Sequence, residues 1–175
     1  MIFSANGKRP GAGVASAERR RYGAAAATGC RFMADAAPKL TPQEAIIYLM
    51  VMASASDGRM SERELRSIGR VVRSFPLFSG SDEQELVATA EACGELMSSE
   101  GGLHKVLTAA ASSLPAHLGE TAYAAVIDVI TADGGLEMTE IRVLELIRNA
   151  LKIRDEGAAA IEHAARARHM TLAAV

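Results

Sequence analysis

A chain of 175 residues can build one domain with a real core, but not two domains plus linkers. Its formal charge of −2 gives no overall attraction to nucleic acid or anionic lipid. Its longest apolar run, Ile46 to Ala53, falls far short of the ~18 residues that span a bilayer. Apolar residues supply 49% of the chain but aromatics only 4%, with no Trp. An apolar share carried by Ala, Leu and Met favours helix over strand. Cys30 and Cys93 make no CxxC pair and no metal spacing, so two free thiols in a reducing, cytoplasmic compartment are expected.

Residues 1–32 hold Lys8, Arg9, Arg19, Arg20, Arg21 and Arg31 against one acid, Glu18. Three readings compete: an organellar transit peptide, a basic tail for nucleic acid or lipid, and a disordered leader. The stretch lacks the apolar core of a secretory signal. Met33 opens MADAAPKLTP, which reads like a natural start. The preferred reading is a disordered, Ala- and Gly-rich leader over 1–39 and a single domain over 40–175.

Thr41-Pro42-Gln43-Glu44 starts a first helix, with Thr41 as cap, Pro42 at N1 and Glu44 reaching back from N3. The apolar run that follows suits a helix hidden on most sides. Asp57-Gly58 ends it, Gly supplying the left-handed turn. Ser61-Glu62-Arg63-Glu64 is a second capping box, followed by Leu65, Ile68, Val72 and Phe75 on one face, and Pro76 as a stop. Ser81-Asp82-Glu83-Gln84 opens a third helix with Leu86, Ala90, Cys93 and Met97 on one side, broken by Gly101-Gly102. A short fourth carries Leu103, Val106, Leu107 and Ala110 inward. Pro115 precedes a fifth with Tyr123, Ile127 and Ile130 on one face. A sixth runs from about Glu137 to Lys152, with Ile141, Leu144, Ile147 and Leu151 inward. A seventh covers Arg154 to Met170. No segment reads as a strand pair with a hairpin turn. The expected fold is all-α, a compact bundle of about seven helices.

Two of these hairpins align. ASDGRMSERELRSI at 55–68 lies over TADGGLEMTEIRVL at 131–144, matching Asp57 with Asp133, Gly58 with Gly134, Glu64 with Glu140 and Arg66 with Arg142. An internally duplicated helical hairpin is expected. The shared D-G-x-[ML]-x-x-x-E copies the second half of a calcium-binding EF-hand loop. Its first half is absent: Ala53, Ala55, Val129 and Thr131 stand where oxygen ligands belong, so the EF-hand reading is rejected.

The helix-DG-helix pair, repeated after a helical middle section, resembles the TerB-like domain of tellurite-resistance proteins. The resemblance covers about residues 40–153 and rests on IIYLMVMASASDGRMSERELRSI and YAAVIDVITADGGLEMTEIRVLELI. It implies a compact bacterial fold of seven helices. It also implies a link to tellurite resistance, to stress and phage-defence systems and to membrane-associated complexes, and a metal-binding role for acidic residues. It supplies no biochemical activity.

Asp57, Glu64, Asp133 and Glu140 are the candidate ligands. Four carboxylates brought together repel unless a cation bridges them, and all-oxygen ligands suit Ca²⁺ or Mg²⁺ better than Zn²⁺. Helix punctuation competes with this reading, because Glu64 completes a capping box with Ser61. In the second copy Glu137, a poor N-cap, replaces that serine, yet Glu140 persists. Asp128, set among Val126, Ile127, Val129 and Ile130, is expected on the exposed side. Arg66 and Arg142 are expected on the surface, and Cys93 in the core. His104, His117, His163 and His169 show no HExxH or i, i+4 pairing, and no phosphate-binding Gly loop appears.

The leading expectation is therefore a non-enzymatic TerB-like module of a tellurite-resistance or stress-response system, with a divalent cation as its candidate ligand. Protein partners, including membrane-associated stress complexes, are expected, and no nucleic acid for the folded domain. The alternatives are a ligand-free scaffolding domain and a metal-dependent hydrolase using the same carboxylates.

Overall fold

The computed structural model describes residues 38–55, 61–132 and 138–170. Among them there are seven α-helices and no strand. They are α1 (Pro42–Ser54), α2 (Glu62–Ser74), α3 (Glu83–Met97), α4 (Gly102–Ser113), α5 (Gly119–Thr131), α6 (Met138–Ala150) and α7 (Asp155–Arg168). Two short 3-10 turns, Pro76–Phe78 and Ala116–Leu118, lead into α3 and α5. The leader assigned to 1–39 lies almost entirely outside the described residues.

Helix α1 is the axis of the bundle. Every residue from Ala45 to Ser54 is buried, and α2, α3, α4, α5 and α6 all pack against it. A helix that is apolar all round has no favourable solvent face and must be enclosed. Its start follows the expected capping box: Glu44 N–H donates to Thr41 Oγ1 at 3.2 Å, and Thr41 N–H donates to Glu44 Oε2 at 2.7 Å. The buried Ser54 hydroxyl donates to Met50 O at 3.0 Å, and among the described residues no buried side-chain nitrogen or oxygen lacks a partner.

Helices α2, α3 and α6 are one-sided. From α2, Ile68, Val71 and Val72 turn inward, and Pro76 begins a 3-10 turn that buries Phe78. From α3, Leu86, Ala90 and Cys93 face α1 as their spacing predicts. Gly101 sits at φ 67°, a conformation that favours glycine, and a Cβ on Gly102 would fall 2.2 Å from Met97 O. That close reversal lets α4 fold back beside α3. Helix α7 docks on α5 through small residues, with Ala158, Ala165 and Ala122 fully buried.

Two inward assignments are corrected. Leu103 is 40% exposed and Ile141 is 37% exposed. Leu103 lies in the first turn of α4, whose inner face is set by Gly102, Val106, Ala109 and Ala110. On α6, only Leu144 and Ile147 are buried; they set the inner face, and Ile141 lies at its edge.

Helix α6 ends earlier than Lys152, and in a strained way. Ile153 N–H donates to Arg148 O at 3.1 Å and Lys152 N–H to Asn149 O at 3.2 Å, the paired bonds of a Schellman motif. Its left-handed position is held by Lys152 at φ 54° instead of by glycine. An L side chain there costs roughly 1–2 kcal/mol. Lys152 is exposed, so Lys152→Gly is expected to raise stability by about 1 kcal/mol. The gain will read as a higher urea midpoint at unchanged slope; a lower midpoint would contradict the strain.

Candidate functional site

In sequence, the two Asp-Gly pairs fall between α1 and α2 and between α5 and α6. Asp57 and Asp133 lie outside the described residues. Glu64 and Glu140 lie within them, each the third residue of its helix, α2 and α6. Glu64 Oε2 accepts from Ser61 N–H at 2.5 Å while Ser61 Oγ accepts from Glu64 N–H at 3.2 Å. One carboxylate oxygen of Glu64 is therefore committed to starting α2. Glu140 is half-buried in the first turn of α6. Among the described residues, no three Asp, Glu, His or Cys side chains converge as a metal site would require. A site built on the candidate four thus depends on Asp57 and Asp133.

The arginines behave as surface residues. Arg66 pairs with Glu62 at 3.3 Å across one turn of α2, both side chains well exposed, and Arg142 is exposed on α6.

Asp128 departs from expectation. Its side chain is 17% exposed and accepts from Arg168 Nη2 at 2.5 Å, with His169 Nε2 3.9 Å away. The reason is α7, which runs along α5 and brings its C-terminal end beside Asp128. A second polar contact ties the same helices. The fully buried Tyr123 donates its hydroxyl to Glu162 Oε1 at 2.8 Å. Burial, and then the Glu162 carboxylate, push the Tyr123 phenol above its ordinary range. Glu162 shares its helix face with Ala158, Ile161 and Ala165, and a carboxylate on an inner face asks for a donor. That spacing was the available signal for this contact.

Cys93 is fully buried, its Sγ 3.6 Å from Tyr48 O, and burial pushes its thiol up to about 12. A thiol held in that state is a core group, not a nucleophile. A surface hollow on α3 is lined by Glu83, Gln84, Val87, Ala88 and Glu91. All five come from one helix, so no second element brings a complementary group to it.

The architecture defines an all-α bundle wound around a buried first helix, with Thr41, Glu44, Ser61 and Glu64 engaged in capping and Tyr123, Asp128, Glu162 and Arg168 in α5–α7 docking. The family model for tellurite resistance protein TerB matches residues 43–163, well over half of the chain, and the chain belongs to the TerB family. Neither the curated proteins nor the solved structures give a match.

The Cys93 environment sets a pH dependence. Its folded pKa lies above its unfolded value, so the folded state holds the proton longer. The sign is then fixed: this contribution is complete below about pH 9 and is lost as pH rises toward 12. Urea midpoints should fall through that window, and Cys93→Ala should flatten part of the fall. An unchanged slope in the variant would show that the thiol carries none of it.

Proposed function

We propose that this chain is a non-enzymatic binding module of a tellurite-resistance or stress-response system, and that it takes a divalent cation, Ca²⁺ or Mg²⁺ before Zn²⁺, between its two Asp-Gly turns. Family membership supports the first half. The observation that carries the second is Glu140. It holds the same third position on α6 that Glu64 holds on α2, although Glu137 replaces the serine that explains Glu64 as a cap. An ionic ligand would account for the two aligned glutamates together with Asp57 and Asp133. The oxygen donors of this set fit a hard cation.

The non-enzymatic reading draws on the occupation of three chemically able groups. The Cys93 thiol is buried, Tyr123 is bonded to Glu162, and Asp128 is bonded to Arg168. A second reading, a ligand-free scaffold, is favoured by the capping bond that engages Glu64.

Calorimetric titration and melting curves separate the two. Binding to the folded state alone must raise its stability, by about 2.7 kcal/mol at a hundredfold excess over Kd. The cation reading expects heat of binding with Ca²⁺ or Mg²⁺, a higher Tm reversed by chelator, and loss of both in Glu140→Gln. Flat titrations with Ca²⁺, Mg²⁺, Mn²⁺ and Zn²⁺ would leave the scaffold reading in its place.

A further inference from the structure

We propose that the outer face of α6 is a self-association surface, and that its partner is a second copy of this chain docked antiparallel. Five large apolar side chains are exposed among the described residues, and three of them belong to α6: Met138 at 80%, Ile141 at 37% and Leu146 at 39%. The other half of the helix is spent on the core through Leu144 and Ile147. At 3.6 residues per turn, Met138, Arg142, Glu145 and Asn149 fall on one line down the outer face. Ile141 and Leu146 flank that line about 70° to either side. Arg142 and Glu145 are exposed, and neither makes a side-chain hydrogen bond or ion pair within the described residues.

The occupant follows from the order of these residues. About the point between Val143 and Leu144 the central pattern is symmetric: Ile141 mirrors Leu146 and Arg142 mirrors Glu145, while at the ends Met138 mirrors Asn149. A twofold axis through that point, perpendicular to the helix, sets a second α6 antiparallel to the first. Arg142 then faces Glu145 of the second copy, and the pair occurs twice by symmetry. One edge of the seam is closed by Ile141 from both copies and the other by Leu146 from both. A parallel pairing would set Arg142 against Arg142 and Glu145 against Glu145, a like-charge arrangement. Antiparallel packing also opposes the helix dipoles favourably. A seam from one helix is smaller than the roughly 800 Å² per partner of a standard interface, so the dimer is weak and concentration-dependent.

Sedimentation equilibrium of the full chain, from micromolar to millimolar concentration, tests this. The wild type should rise in average mass toward a dimer, less so at high salt. Arg142→Glu and Glu145→Arg each place like charges in register and should weaken association on the order of tenfold. The combined R142E/E145R chain restores the pairs and should recover the wild-type curve. These positions are exposed, so each variant should keep the helical circular dichroism of the wild type. A mass independent of concentration overturns the proposal and leaves the face to a different protein. Association that survives the single swaps, or fails to return in the double, overturns it by placing the contact elsewhere.

Discussion

Burial of α1 on every side sets the terms for the rest of the bundle. The helix cannot contribute a surface, so five others must surround it; α2, α3, α4 and α6 bury one face each, while α5 is covered on a second side by α7. This explains the contrast between Ala45–Ser54, buried without a break, and the alternating burial on α2, α3 and α6. It also explains how few polar groups the interior tolerates. Ser54 is satisfied within its own helix, and the Cys93 thiol is pressed against the α1 backbone at Tyr48.

Helix α7 stands apart from that arrangement. It adds to the bundle by docking on α5, and the dock combines small buried residues with two charged or polar ties. Tyr123–Glu162 and Asp128–Arg168 hold the middle and the C-terminal end of α7 to α5. The Tyr123–Glu162 tie is part-buried, so losing the glutamate would leave the buried phenol unpaired, whereas the Asp128–Arg168 tie lies at the surface. Side chains that might have suggested chemistry therefore serve to register one helix on another. The Asp-Gly turns show the same duality. Glu64 is a cap by geometry, while Glu140 occupies the same helical position with a different residue before it.

Local rules were readable at once. Thr41, Ser61 and Pro76 punctuate the helices where their side chains and rings require, and the capping box at Thr41 decides for an enclosed helix over a buried strand in the apolar run that follows. The departures share one cause, which is that helix periodicity gives a face but not what lies against it. Asp128 looked exposed because its tie comes from Arg168, forty residues later. Ile141 looked inward because its spacing is right, but the inner face of α6 is centred on Leu144 and Ile147. Lys152 could not be foreseen at a left-handed position that composition would give to glycine. The family was legible from the two helix-DG-helix segments, which fall inside the matched span of 43–163. Whether their four acids converge is a tertiary matter that spacing does not decide.

The central claim, that α1 is the enclosed axis on which the other helices depend, is tested most directly by native-state hydrogen exchange across α1. If it holds, the amides of Ile46 to Ala53 exchange only through global unfolding, with the full denaturant dependence of the whole domain. The amides of α7 should open earlier, in a smaller unit. Exchange of the α1 amides by a sub-global opening, while α5 and α7 stay protected, would contradict the account.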